Sequence, residues 1–143
     1  QSTYSLSSTL QIICFDIDED MLCINRSGKH VQIYHLLTET DKKLSNVIRI
    51  KKDTGLPKRI AFSVKQDFLV CALDSGLIGV TRGFLQNKFL EYYDTLNGAA
   101  ITEVILADRA FYMGTNDGAV SKFQWVGSNF NFEDVFLKLF AEN

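Results

Sequence analysis

The chain has a single proline, a single tryptophan, two histidines and three cysteines among its 143 residues. Three thiols, an odd number, exclude a closed disulfide framework, and two imidazoles with scattered cysteines are poor material for zinc. Charge of one sign is also missing: 15 basic residues against 17 acidic leave −2, too balanced for a general nucleic-acid or membrane-surface field. Long apolar runs are absent. A stretch such as Leu69-Val70-Cys71-Ala72-Leu73 falls far below the roughly 18 residues of a spanning helix, and no basic-then-apolar leader opens the sequence. Gly-rich phosphate loops, nucleophile elbows and HExxH-type signatures do not occur. What is present is 46% apolar and 12% aromatic residues, enough to fold around a real core. Cys14, Cys23 and Cys71 each sit in an apolar, strand-like segment, where free thiols pack as small hydrophobes. The expectation is an intracellular setting, cytoplasmic or nuclear, with no membrane span. Because the sequence opens on Gln1 rather than Met, it is also expected to be a piece of a longer protein.

One signature recurs. Asn25-Arg26-Ser27-Gly28, Asp74-Ser75-Gly76 and Asn116-Asp117-Gly118 place glycines 48 and 42 residues apart, each followed by a run of strand character. Upstream of each, residues 11–16, 59–64 and 101–106 read as a first strand, followed by a polar corner. Residues 21–24, 68–73 and 111–113 read as a second strand, and 31–34, 77–80 and 120–123 as a third. Fainter fourth strands are expected at 46–51 and 88–93, their polar content fitting an outer position. Gly28, Gly76 and Gly118 are the expected turn-forming residues, because a tight hairpin needs positive φ that β-branched residues resist. Pro57 falls in the connection between the first two units, where a missing amide donor costs nothing.

The tail has a different rhythm. Phe132, Val135, Phe136, Leu139 and Phe140 follow the spacing of one helix face, with Asn131 as cap and Glu133 and Asp134 in the first turn. The predicted organisation is therefore a flexible segment at 1–9, three units at about 10–52, 57–95 and 99–130, and an amphipathic helix at 131–143.

The second unit resembles the WD-repeat type of β-propeller. Arg59-Ile60-Ala61-Phe62-Ser63 is similar to that family's first strand, Asp67-Phe68-Leu69-Val70-Cys71-Ala72 to its second, and Asp74-Ser75-Gly76-Leu77-Ile78-Gly79-Val80 to its turn and third strand. The third unit echoes this with Asn116-Asp117-Gly118-Ala119-Val120. Tyr34-His35, Thr81-Arg82 and Gln124-Trp125 stand where the family ends its third strand in Trp-Asp, and no Gly-His precedes a unit. The resemblance implies an all-β fold, a partial propeller of about three four-stranded blades, acting as a protein-protein interaction scaffold. Three blades do not close a ring. At roughly 1.5–3 kcal/mol per large apolar residue, an uncovered blade face of about six would forfeit on the order of 10 kcal/mol. Missing blades of the parent chain, a partner subunit that inserts strands, or self-association should cover it, in that order.

Other residues suggest chemistry. Leu73-Asp74-Ser75-Gly76 fits the aspartic-protease pattern, with Asp53-Thr54-Gly55 as a second copy, so a dimeric protease using Asp74 is the enzymatic alternative. The repeat already accounts for this turn, however, and a non-enzyme is expected. Asp16-Ile17-Asp18-Glu19-Asp20 lacks the glycine and distal glutamate of a calcium loop and reads as a solvated corner. His30 and His35, five apart, fall on opposite strand faces, so no metal or cofactor is expected. Asn25-Arg26-Ser27 fits the glycan-acceptor pattern but coincides with a turn that needs Asn anyway. Lys51, Lys52 and Arg59 form a basic stretch around the first connection, a candidate for partners and, less favoured, for nucleic acid or phosphate. Phe136, Leu139 and Phe140 form an FxxLF-like helical docking pattern.

Overall fold

The computed structural model describes residues 11–94, 98–126 and 129–138, with side chains described up to residue 124. The predicted flexible segment at 1–9 and the stretch 139–143 lie outside these residues. Among the described residues, twelve strands form three separate four-stranded antiparallel sheets. The first sheet runs β1 (Cys14–Asp18), β2 (Met21–Asn25), β3 (His30–Leu36) and β4 (Lys42–Arg49) in that spatial order. The second runs β5 (Pro57–Ser63), β6 (Phe68–Leu73), β7 (Leu77–Arg82) and β8 (Glu91–Asp94). In the third, β9 (Ile101–Ala107), β10 (Ala110–Thr115), β11 (Ala119–Val126) and β12 (Asn129–Lys138) repeat the meander. The opening strands β1, β5 and β9 stand side by side, so the sheets radiate from them and stack face against face.

Alternation along the strands puts one set of side chains on each face, and the faces form two inter-sheet cores. Cys23, Val31, Ile33 and Ile48 of the first sheet meet Phe62, Leu69, Cys71 and Phe84 of the second. Val70, Ala72, Ile78 and Val80, from the opposite face of the second sheet, meet Phe111, Met113 and Phe123 of the third. The second sheet is thus covered on both faces, which is why every residue of β6 is buried and why its run reads as continuously apolar.

The opening strands are also tied by hydrogen bonds. Asp16 and Asp18 share with Cys14 one face of β1, alternating with Phe15 and Ile17, so their carboxylates face the second sheet. Asp16 Oδ2 accepts the Phe62 amide at 3.1 Å and Asp18 Oδ2 accepts the Val64 amide at 2.8 Å. Gln66 makes the equivalent tie between the second and third sheets: Nε2 donates to the Ala107 carbonyl at 3.1 Å and Oε1 accepts the Arg109 amide at 2.8 Å. The acidic corner expected to be merely solvated is therefore partly an inter-sheet clamp. Burial raises the Asp16 pKa above the ordinary carboxylate range, and the Phe62 amide opposes the shift.

Two sequence expectations are corrected. Residues 129–138 form strand β12 and not a helix, pairing along β11 from Val126↔Asn129 to Ala119↔Lys138. A helix of a dozen residues is marginal alone, whereas the strand satisfies the open edge of β11. Two register shifts, near Val120/Ser121 and Ser121/Phe123, insert extra residues into β12 and break its period of two, producing the spacing that resembled a helix. The second correction is at the first turn, where Ser27 and not Gly28 takes the left-handed conformation, at φ 64. Asn25 makes this workable by donating Nδ2 to the Gly28 and His30 carbonyls at 2.8 and 2.9 Å. That amide is buried and engaged, which leaves no free glycan acceptor. Gly76 and Gly118 do sit at φ 92 and 86. Gly118→Val should cost about 2 kcal/mol or more, read as a lower urea midpoint at unchanged slope, because a β-branched residue resists this region.

Candidate interaction surfaces

The Asp-Ser-Gly and Asp-Thr-Gly residues do come together, through hydrogen bonds that join the two turns. The Leu56 amide donates to Asp74 Oδ1 at 3.0 Å, the Asp74 amide donates to the Leu56 carbonyl at 2.8 Å, and Ser75 Oγ donates to the Thr54 carbonyl. Thr54 in turn donates Oγ1 to the Lys51 carbonyl at 2.6 Å. The arrangement latches the connection between the first two sheets onto the β6–β7 turn. Gly55, at φ 115, permits it: a Cβ there would lie 2.6 Å from Asp74 Oδ1. Asp53 and Asp74 are both exposed.

Among the described residues no three metal-ligating side chains gather. His35 Nε2 lies 2.6 Å from Asp20 Oδ2, and this bond holds the Asp20 carboxyl below its ordinary range. The three thiols are free and buried. Burial lifts Cys14 from 9.0 to about 11, against a small opposing pull from Arg59, and pushes Cys23 and Cys71 further the same way. Folded-state values above the unfolded ones mean that this contribution is full below about pH 9 and is lost as pH rises through about 11. A disulfide reagent at pH 8 should therefore titrate no thiol in the native protein and all three after unfolding.

The predicted basic stretch is split by the fold. Arg59 lies on β5 and lines a cleft along the opening strands with Phe15, Asp16, Glu103 and Ile105. Lys51 and Lys52 line a different cavity of about 550 Å³ between the first two sheets. Phe136 lies on β12, so the helical docking pattern is not formed there, and Leu139 and Phe140 fall outside the described residues.

A surface that sequence reasoning did not single out lies on the outward side of the first sheet. The register places Phe15 opposite Ile24, Ile17 opposite Leu22, and Leu22 opposite Tyr34. Leu22, Ile24, Tyr34 and Leu36 form an apolar cluster of their own. Beside them Phe15, Ile17 and Leu44 are exposed by 56%, 52% and 47%. Relative to the first-strand pairings Asp18↔Met21, Ser63↔Phe68 and Ala107↔Ala110, Leu22 corresponds to Leu69 and Phe111, and Ile24 to Cys71 and Met113. In the second and third sheets those positions pack on the preceding sheet. In the first, strands of another described sheet reach β1 and β2 only through β5, on the face of Cys14 and Cys23, while Leu22 and Ile24 are buried at 8% and 1% exposure. The opposite end of the stack differs: Tyr112 and Lys122 pair across β10 and β11, with the ammonium 5.9 Å from the ring centroid.

No protein-family model matches the chain, and no curated protein matches it in sequence. Solved structures do match in three dimensions. The chain aligns with Sqt1 of Saccharomyces cerevisiae at TM-score 0.71 and 16% identity, covering 96% of this chain and 39% of that one. With Hsv2 of Kluyveromyces lactis the values are 0.64 and 13%, covering 91% and 38%. Sqt1 and Hsv2 are WD40 β-propeller proteins. The chain folds as a partial β-propeller. A Bacteroides uniformis protein named for 6-phosphogluconolactonase also matches, at TM-score 0.63 and 15% identity, covering 93% of this chain and 44% of that one. At such identities the likeness concerns fold alone. The chain spans about two fifths of the length of each of these proteins, and its three sheets are consecutive four-stranded blades.

Proposed function

We propose that this chain is a non-catalytic protein-protein interaction scaffold, a WD-repeat-like propeller segment working inside a larger intracellular assembly. The observation that carries the reading is the outward face of the first blade, where Phe15, Ile17, Leu22 and Ile24 occupy the positions that receive a preceding blade elsewhere in the same chain. Its natural occupant is another four-stranded blade, from the parent chain or from a partner subunit. Leu22 and Ile24 are already buried, so the gain comes from covering the half-exposed Phe15 and Ile17, on the order of 2–3 kcal/mol together. The buried, protonated thiols fit a reducing compartment.

Light scattering across a concentration series provides the test. Alone, the chain should associate through this face, its mass rising above 16.2 kDa with concentration, and Phe15→Ser/Ile17→Ser should shift it back toward the monomer. A monomeric wild type at every concentration would contradict the reading. Asp74→Asn separates the enzymatic alternative: an asparagine Oδ1 still accepts the Leu56 amide, so stability should change by less than about 0.5 kcal/mol and assembly not at all. Loss of a cleavage activity in that variant would instead establish the protease.

A further inference from the structure

The cavity between the first two blades combines cationic and apolar side chains. Four cationic residues, Lys29, Arg49, Lys51 and Lys52, line it together with Ile50, Phe89, Leu90 and Tyr92, and among the described residues no carboxylate lines it. The neighbouring Glu91 accepts the Tyr93 hydroxyl, and Tyr93 packs with the core on the third-blade side. Phe89 is 69% exposed, the most exposed large apolar side chain among the described residues, and it stands at the cavity rim.

The framework beneath these side chains is fixed by backbone. Arg49 pairs with Phe89 in a parallel bridge, and the Arg49 amide donates to the Lys88 carbonyl at 2.8 Å. The Lys51 amide donates to the Tyr92 hydroxyl at 2.7 Å, and Lys29 Nζ donates to the Gly55 carbonyl at 2.8 Å. Ile50 and Leu90 form a buried floor. An apolar floor with an exposed aromatic and a cationic rim is complementary to a segment that carries an apolar anchor between carboxylates.

The geometry points to a docking groove for an acidic peptide of a partner protein, with Ile50, Phe89 and Leu90 taking its apolar anchor and Lys29, Arg49, Lys51 and Lys52 its carboxylates. A nucleic acid is the weaker fit. It would need a cationic track longer than one cavity, and a chain of net charge −2 adds no long-range attraction. The inference rests on the scaffold reading and names a partner chemistry for it, at a surface separate from the blade-stacking face.

Fluorescence anisotropy with the labelled peptide Asp-Glu-Asp-Leu-Phe-Asp-Glu-Asp tests it on the intact chain. Saturable binding is expected, falling about tenfold in Lys51→Glu/Lys52→Glu and again when the peptide's Leu-Phe is replaced by Ser-Ser. Raising salt from about 50 to about 500 mM should weaken it further. Lys51 and Lys52 are exposed, so that variant keeps its fold, checked by an unchanged melting curve. Phe89→Ser is a second variant expected to weaken the wild-type peptide without affecting blade association. No saturable binding, binding indifferent to Lys51→Glu/Lys52→Glu, or tighter binding of an eight-nucleotide oligothymidine would overturn the inference. Since Phe15→Ser/Ile17→Ser should leave peptide binding intact, failure here and failure of the scaffold reading give different results.

Discussion

Phe111→Ala should destabilise the chain by about 3–5 kcal/mol, the largest effect expected of any single truncation. Phe111 is fully buried between the second and third blades. Its ring stacks on Phe123 with centroids 4.8 Å apart and an interplanar angle of 3°, and on Phe68 at 5.7 Å and 27°. Removing it deletes transfer energy and both ring contacts, and it opens a void that strands held by their own ladders cannot easily collapse into. Against a typical domain stability of about 5–15 kcal/mol that is a large share. A urea titration by tryptophan fluorescence measures it. Phe111→Leu, which keeps most of the volume, should cost only about 1–2 kcal/mol. A loss below about 1 kcal/mol in Phe111→Ala would mean that the two blades are not packed through this ring.

Asn46→Ala is expected to cost about 2–4 kcal/mol although it removes no apolar surface. Asn46 is a buried polar side chain on the outermost strand of the first blade. Its Nδ2 donates to the Phe84 and Asn87 carbonyls, both at 2.8 Å, and its Oδ1 accepts from Lys88 Nζ. These bonds pin the segment between β7 and β8 against the neighbouring blade. Truncation leaves the two carbonyls without this donor, so the penalty is mainly desolvation left uncompensated. Hydrogen exchange should quicken across residues 83–90 more than elsewhere, and Asn46→Asp, which has no amide to donate, should not rescue it. Because that segment carries Phe89, peptide binding at the basic groove should weaken in parallel.

The sheets were legible because each has its own alternation and a turn chemistry repeated at nearly constant spacing. The strand β6 was read at its full extent, Phe68–Leu73, since burial on both faces makes it continuously apolar. Where the local rule depends on neighbours, legibility fails. The tail read as a helix because register shifts on β12 disturbed the period of two, and only the open edge of β11 decides between the alternatives. Ser27 displaced Gly28 from the strained position because Asn25 anchors that turn through its side chain. Lys51 and Arg59 are eight residues apart in sequence, yet the turn into β5 sends them to different cavities. The clamps made by Asp16, Asp18 and Gln66 need knowledge of which sheet stacks on which. A hint was present: Asp16 and Asp18 share a strand face with Cys14, placing acids on an otherwise core-facing side of the strand. The outward face of the first blade could have been found by aligning Leu22 and Ile24 with Leu69 and Cys71, whose positions receive a preceding sheet.

Both the scaffold and the groove require that the three sheets be consecutive blades, stacked face to face around their opening strands. Nuclear Overhauser contacts between sheets measure this most directly. Stacked blades predict cross-peaks between the Phe68 and Phe111 rings, and between the Cys14 and Ile60 side chains, with no amide-to-amide ladder linking β4 to β5 or β8 to β9. Continuous ladders across those junctions, the mark of one closed barrel, would contradict it.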